Sequence, residues 1–167
     1  EELVNNIWQN DARRSNQFVY DENVNAVYTN VNKQFKSTSV QLGLRVEQTN
    51  STGNLITNNE VVKRSYVDFF PTFFVQQTLS KNNQVGFSYS RRIDRPSYDA
   101  LNPFVYYLDE YTYNKGNPFL NPQYTNNFEV SYTFMQKYLL SVNYSRVNDV
   151  ITEVLLPDQQ QKALYQK

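Results

Sequence analysis

Read for the period of its apolar positions, the chain repeatedly alternates. Val40, Leu42, Leu44 and Val46 are separated by Gln41, Gly43 and Arg45, the two-residue period of a strand with one apolar and one polar face. The pattern returns in Val85, Phe87 and Tyr89, in Phe128, Val130, Tyr132 and Phe134, and in Leu140, Val142 and Tyr144. Two noisier strands are predicted over Phe18 to Val31 and Tyr66 to Leu79, the second aromatic on both faces. That makes six strands, with a seventh suggested after Val154 and no trustworthy helical period.

The links between these strands alternate in length. Asn32 to Lys36, Ser80 to Asn83 and Met135 to Tyr138 are short, whereas Thr49 to Lys63 and Ile93 to Tyr124 are long. A soluble sandwich has no reason to sort its loops this way. An outer-membrane barrel does, with short periplasmic turns at one rim and longer extracellular loops at the other.

The predicted lipid-facing set is Val40, Leu42, Leu44, Val46, Val85, Phe87, Phe128, Val130, Leu140 and Val142, with Arg45, Glu47, Ser88, Glu129 and Asn143 opposite. A charged inner face in a small closed core would strand ions at several kcal/mol each, whereas a wide barrel fills its interior with water. Tyr20, Tyr28, Tyr66, Tyr89, Tyr132, Tyr138 and Tyr144 near strand ends suit an interfacial girdle, although strand propensity alone also favours Tyr. Six or seven strands fall short of the eight that single-chain bacterial barrels need, and an open edge in lipid leaves amides unsatisfied. The expectation is therefore all-β: an antiparallel up-and-down meander, residues 1–167 forming one partial domain of a larger transmembrane β-barrel.

Composition narrows the chemistry. With 16 basic and 16 acidic residues spread along 167, the chain lacks the basic footprint of a nucleic-acid binder. The absence of Cys and His removes disulfides, thiolate zinc sites and imidazole catalysis. Asp94, Asp99, Asp109 and Glu110 lack the spacing of a calcium loop, so neither a metal nor a cofactor is expected, and no enzymatic activity. No apolar run is long enough for a membrane helix, and the start has no secretory signal. Sequons at Asn50 and Asn143 read as chance in an Asn-rich chain.

An ordered series of short motifs resembles one family. It runs from Phe18, Tyr20, Glu22, Ala26 and Tyr28 through Gly43-Leu44-Arg45 with Glu47 and Thr49, then Phe70-Pro71. Ser88-Tyr89-Ser90-Arg91-Arg92-Ile93, Arg95-Pro96-Ser97-Tyr98 and Leu101-Asn102-Pro103-Phe104 follow, then Gly116-Asn117-Pro118, Leu120, Pro122, Asn148-Asp149 and Ile151. The series resembles the outer-membrane barrel of TonB-dependent receptor-like proteins of the Bacteroidota type. Gln123 departs from it, standing where the family pattern has Glu.

The resemblance implies a bacterial outer-membrane location and uptake of a siderophore, oligosaccharide or peptide through a barrel of about 22 strands closed by a plug, as in the wide plugged transporters. Plug and TonB-contacting segment are both missing from these residues. Implied partners are the bilayer, lipopolysaccharide, the plug and remaining strands, TonB and a surface lipoprotein.

The stiffened loop from Ile93 to Tyr124 holds four of the six prolines and is where a ligand would be sought. Arg91, Arg92, Arg95, Tyr98, Tyr106, Tyr107, Asp109, Tyr111 and Tyr113 are its candidate binding residues, with Glu110 beside them. Tyrosines would stack on a sugar or chelate ring, and arginines would meet anions. Equally, the tyrosines could pack the loop, and the arginines could pair with Asp94 and Asp99. Arg45 and Glu47 read as a lumen charge ladder. Two other functions fit the residues: a non-transporting barrel subunit of a surface assembly, and a soluble carbohydrate-binding β-sandwich.

Overall fold

A computed structural model describes residues 2–4, 7–9, 17–56, 59–109, 111–158 and 163–166. Two short strands, β1 (Glu2–Val4) and β2 (Ile7–Gln9), pair with each other. The main sheet holds β3 (Phe18–Gln34), β4 (Thr38–Leu55), β5 (Glu60–Ser80), β6 (Asn83–Asp94), β9 (Gln123–Phe134) and β10 (Tyr138–Asn148). Between β6 and β9 lie the single helical turn α1 (Tyr98–Leu101) and strands β7 (Val105–Tyr107) and β8 (Thr112–Lys115). β11 (Leu155–Asp158) and β12 (Ala163–Gln166) follow β10.

All six predicted strands are present, antiparallel, and neighbours in chain order. The suggested seventh strand also forms as β11, but it joins β12, β8 and β7 in a separate small sheet instead of extending the wall. The predicted long link from Thr49 to Lys63 is overturned: β4 runs up to Leu55 and β5 resumes at Glu60. Those polar residues are a paired ladder, not a loop, because strand hydrogen bonds satisfy the backbone whatever the side chains are.

The ladder decides which side chains share a face. Lys33, Val40, Val75, Phe87, Val130 and Val142 occupy one continuous rung, and Val31, Leu42, Phe73, Tyr89, Phe128 and Tyr144 another. Because register alternates strictly, the ten predicted lipid-facing residues all fall on this one face. Leu42 is 50% exposed and Val142 65%, and among the described residues nothing covers them. Tyr89 meets Phe128 at 4.9 Å and Phe128 meets Tyr144 at 6.2 Å, while Phe134 stacks on Tyr138 at 6.4 Å nearer the short turns. These are two aromatic levels with aliphatics between them. Tyr20, Tyr28 and Tyr66 do not join them: they pair with Gly53, Arg45 and Thr49 on the polar face.

The apolar band crosses the sheet obliquely. In β3 it is centred on Thr29, four residues above the rung of Lys33; in β10 it is centred on Ser141, one residue below Val142 of that same rung. Five residues of climb over five interstrand steps, at ~3.4 Å per residue and ~4.8 Å per step, correspond to strands tilted about 35° from the band's normal, within the range of membrane barrels. The sheet is open, β3 and β10 each having one neighbour among the described residues. In hydrocarbon such edges need further strands to pair with.

Candidate functional site

Pro71 lies in mid-strand and still holds register with Leu44 of β4, but the rungs between β5 and β6 end at Thr72–Ser90, one residue short of it. A proline has no N–H to give to the next rung, and here the two strands part. Beyond the fork, the top of the β6–β9 hairpin and its loop cross the polar face of β3, β4 and β5.

Arg95 is the main tie. Its Nη2 lies 2.7 Å from Glu47 Oε2 and donates to Thr49 Oγ1 at 2.9 Å, and its Nε lies 3.0 Å from Glu22. The other oxygen of Glu47 takes Arg45 at 3.1 Å. Glu47 and Thr49 are buried, and so is Phe70, whose ring carries the Arg45 guanidinium 5.0 Å above it. Burial by itself lowers the Arg95 pKa, but hydrogen bonding to Glu47 and Tyr66 outweighs it, so the charge is held more firmly than in water. Tyr20 donates to Glu22 at 3.0 Å, and burial holds its phenol above the ordinary pKa.

Three further ties flank this one. Tyr98 donates its hydroxyl to the Phe18 carbonyl at 2.8 Å, Arg64 donates to the Leu120 and Pro118 carbonyls, and the Tyr124 hydroxyl reaches both oxygens of Asp68 at 3.0 and 2.9 Å. Phe18, Leu55 and Leu101 form a small core here, with Tyr20 and Leu120 packed on it. Among the described residues, two layers, which a buried core requires, occur only where the loop covers the wall. Ser97 caps α1 by accepting from the Ala100 N–H at 3.2 Å, and the α1 carbonyl of Ala100 accepts from Asn117 at 2.7 Å. Gly116 donates to Asn102 at 3.0 Å, in a gap where an added Cβ would lie 2.4 to 2.7 Å from three backbone carbonyls.

The predicted binding residues therefore divide. Arg95 and Tyr98 belong to the ties, and the carboxylates that hold Arg95 are Glu22 and Glu47, not Asp94 or Asp99. Arg91 and Arg92 line an open groove of about 330 Å³ with Tyr28, Arg45, Thr72 and Ser90. Tyr106, Tyr107 and Tyr111 are exposed near the loop tip, whereas Tyr113 is buried, its ring 5.9 Å from that of Tyr107. The Asp109 carboxylate accepts from the Tyr111 N–H at 2.7 Å, closing a local turn. Glu110 lies outside the described residues. Missed by sequence reasoning were Glu22 as a partner of Arg95, Arg64, and the Tyr124–Asp68 bond; acidic residues at polar-face strand positions were the only available signal.

A one-layer wall, apolar without and charged within, with tilted strands and one elaborated rim, defines the class of protein. The sequence model of the outer membrane protein beta-barrel family matches residues 1–167. The chain belongs to the outer membrane protein β-barrel family. Comparison with curated proteins gives no match. Membership places the chain in the bacterial outer membrane; in such barrels short turns lie at the periplasmic rim and longer loops at the extracellular one. The same membership sets the sealed sandwich aside.

Proposed function

We propose that this barrel wall belongs to a receptor that takes up a ligand too large or too scarce for porins, with energy delivered through TonB, and that it catalyses no reaction. The observation that carries this reading is the loop tied across the polar face by Arg95, Glu22 and Glu47. A diffusion channel needs an open mouth, and an ordered loop held there by ion pairs around the buried Glu47 narrows it and gives a ligand a shaped surface. The ordered motifs from Phe18 to Ile151 support the TonB-dependent, Bacteroidota-type assignment. In the proposal, a plug domain and further strands of the full-length protein complete the barrel. Lipopolysaccharide surrounds it, and a surface lipoprotein assists capture.

Deleting the gene in its host and supplying siderophores, oligosaccharides or peptides as sole nutrient tests this. Growth should fail on at least one class, return on re-expression, and fail again when a protonophore dissipates the proton gradient. Growth on every class, with or without the gene, would refute uptake.

A second reading, a non-transporting subunit of a surface assembly, is favoured by the loop tip, where Tyr106, Tyr107, Leu108 and Tyr111 are all more than half exposed. Apolar tips of that kind suit a protein partner. Under this reading the deletion changes no nutrient class but releases partner proteins from the cell surface.

A further inference from the structure

At the fork, around its last rung Thr72–Ser90, a groove is lined by Arg45, Arg91 and Arg92 together with Tyr28, Thr72, Ser90 and Leu44, and among the described residues no carboxylate lines it. The nearby rung does carry two acids in register, Glu47 and Asp68, but both are engaged: Glu47 by Arg45 and Arg95, Asp68 by the Tyr124 hydroxyl. Arg91 lies with its guanidinium 4.8 Å over the Tyr124 ring, and its Nε is buried without a hydrogen-bond partner. Arg92 is exposed, and no ion pair involves it among the described residues. Like charges gathered in one concavity repel one another, and an unpartnered buried N–H is costly. The repulsion is removed by an anionic occupant. Planar guanidinium forks match the paired oxygens of a carboxylate or phosphate, and the surrounding hydroxyls donate to the same oxygens.

We propose that the Arg45, Arg91 and Arg92 groove binds the oxyanion of a soluble solute, a carboxylate or phosphate group, on the lumen wall. This rests on the polar face bordering the lumen and deepens the uptake reading by naming the charge class of the solute. Its position below the tied loop makes it a second station, reached after the rim. The size is suited to a small anionic group, since about 330 Å³ is at the lower end of small-molecule sites.

The test uses the full-length protein in detergent micelles, titrated calorimetrically with inorganic pyrophosphate and, separately, with citrate at constant ionic strength. One saturable site per barrel is expected. Arg92→Gln should weaken it roughly ten- to a hundredfold, the loss that follows from removing one charge-assisted hydrogen bond. Arg92 is the residue to change because its exposed side chain holds no ion pair, so the fold survives. Phenylglyoxal labelling gives an independent readout: pyrophosphate should protect Arg92 and Arg91 but not the exposed Arg146. Absence of saturable binding by either anion, or an unchanged affinity in Arg92→Gln, overturns the proposal. Binding to vesicles carrying lipid A, without binding to free pyrophosphate or citrate, also overturns it, since a headgroup and not a solute would then be the ligand. Anion binding in a protein whose deletion changes no nutrient class would sink the uptake reading and leave this site standing.

Discussion

Leu44→Arg tests the two-faced wall most directly. Leu44 sits one residue from the centre of the band in β4, between Leu42 and Val46, and is 40% exposed on a face that nothing described covers. One residue of offset at the derived tilt displaces it only about 3 Å from the midplane. Arginine therefore cannot snorkel cheaply to either interface, and the expected loss is about 2–4 kcal/mol. Gln41→Arg, three residues away on the opposite face, should cost less than about 0.5 kcal/mol, as for an ordinary hydrated surface position. Equilibrium unfolding by guanidinium of the full-length protein in phospholipid vesicles measures both. The oblique band adds a control in β10. Val142→Arg should behave like Leu44→Arg, whereas Arg146, four residues further up the same strand face, is already arginine and Arg146→Leu should leave stability nearly unchanged. Equal sensitivity at Leu44 and Gln41 would refute the assignment of faces, and equal sensitivity at positions 142 and 146 would refute the tilt.

Other outcomes follow from the tied loop. Arg95→Gln removes the partner of two carboxylates, one of them buried, and should open the loop locally by about 2–3 kcal/mol, less than a fully orphaned pair because Glu47 keeps Arg45; hydrogen exchange over residues 97–122 should accelerate while the β9–β10 amides stay protected. Gly116→Ala forces a methyl against backbone carbonyls that cannot rotate away, at roughly 1–3 kcal/mol, visible as faster proteolysis of the same loop. Gly43→Ala meets instead the hydroxyl of Thr72, a side chain able to turn, and should cost visibly less in the same proteolysis assay. Tyr124→Phe deletes the bond to Asp68 and should cost about 1 kcal/mol, with the chemical shifts of β5 residues near Asp68 reporting the change.

The sequence shows the wall wherever lipid imposes a pattern. A face that meets acyl chains has to be apolar at every second residue, which is why Val40 to Val46 and Phe128 to Phe134 were legible as strands sharing one apolar face. Above the membrane that requirement lapses. Gln48-Thr49-Asn50-Ser51-Thr52 is polar on both faces and reads as a loop, yet each residue is paired with both β3 and β5. The tyrosines show the same boundary: Tyr89 and Tyr144 sit beside the band, whereas Tyr20 and Tyr66 serve the polar face, and composition cannot separate the two uses. The partners of Arg95 were hidden for another reason. Glu47 is 48 residues away, brought near only by strand register, while Asp94 and Asp99 stood close in sequence and drew the wrong pairing.

The two halves of the wall are stabilised by different means, and this bears on how the loop and the barrel depend on each other. Among the described residues the sheet within the apolar band is a single layer with no protein core, and β3 and β10 each have one neighbour. Above the membrane, β3, β4 and β5 outrun β6, and the surplus length is covered by the loop, which supplies Leu101 and Leu120 to a core that the wall alone could not form and Arg95 to the ion pairs beside it. The fork at Pro71 joins the two regimes: by ending the β5–β6 ladder it frees the hairpin top to cross the polar face while β4–β5 pairing continues upward. A loop tied this way is positioned by the curvature and tilt of the strands beneath it. Any ligand, plug or partner that shifts β3 against β4 therefore acts on the Glu22–Arg95–Glu47 pairs first, because Glu22 and Glu47 sit on those two strands and share one guanidinium.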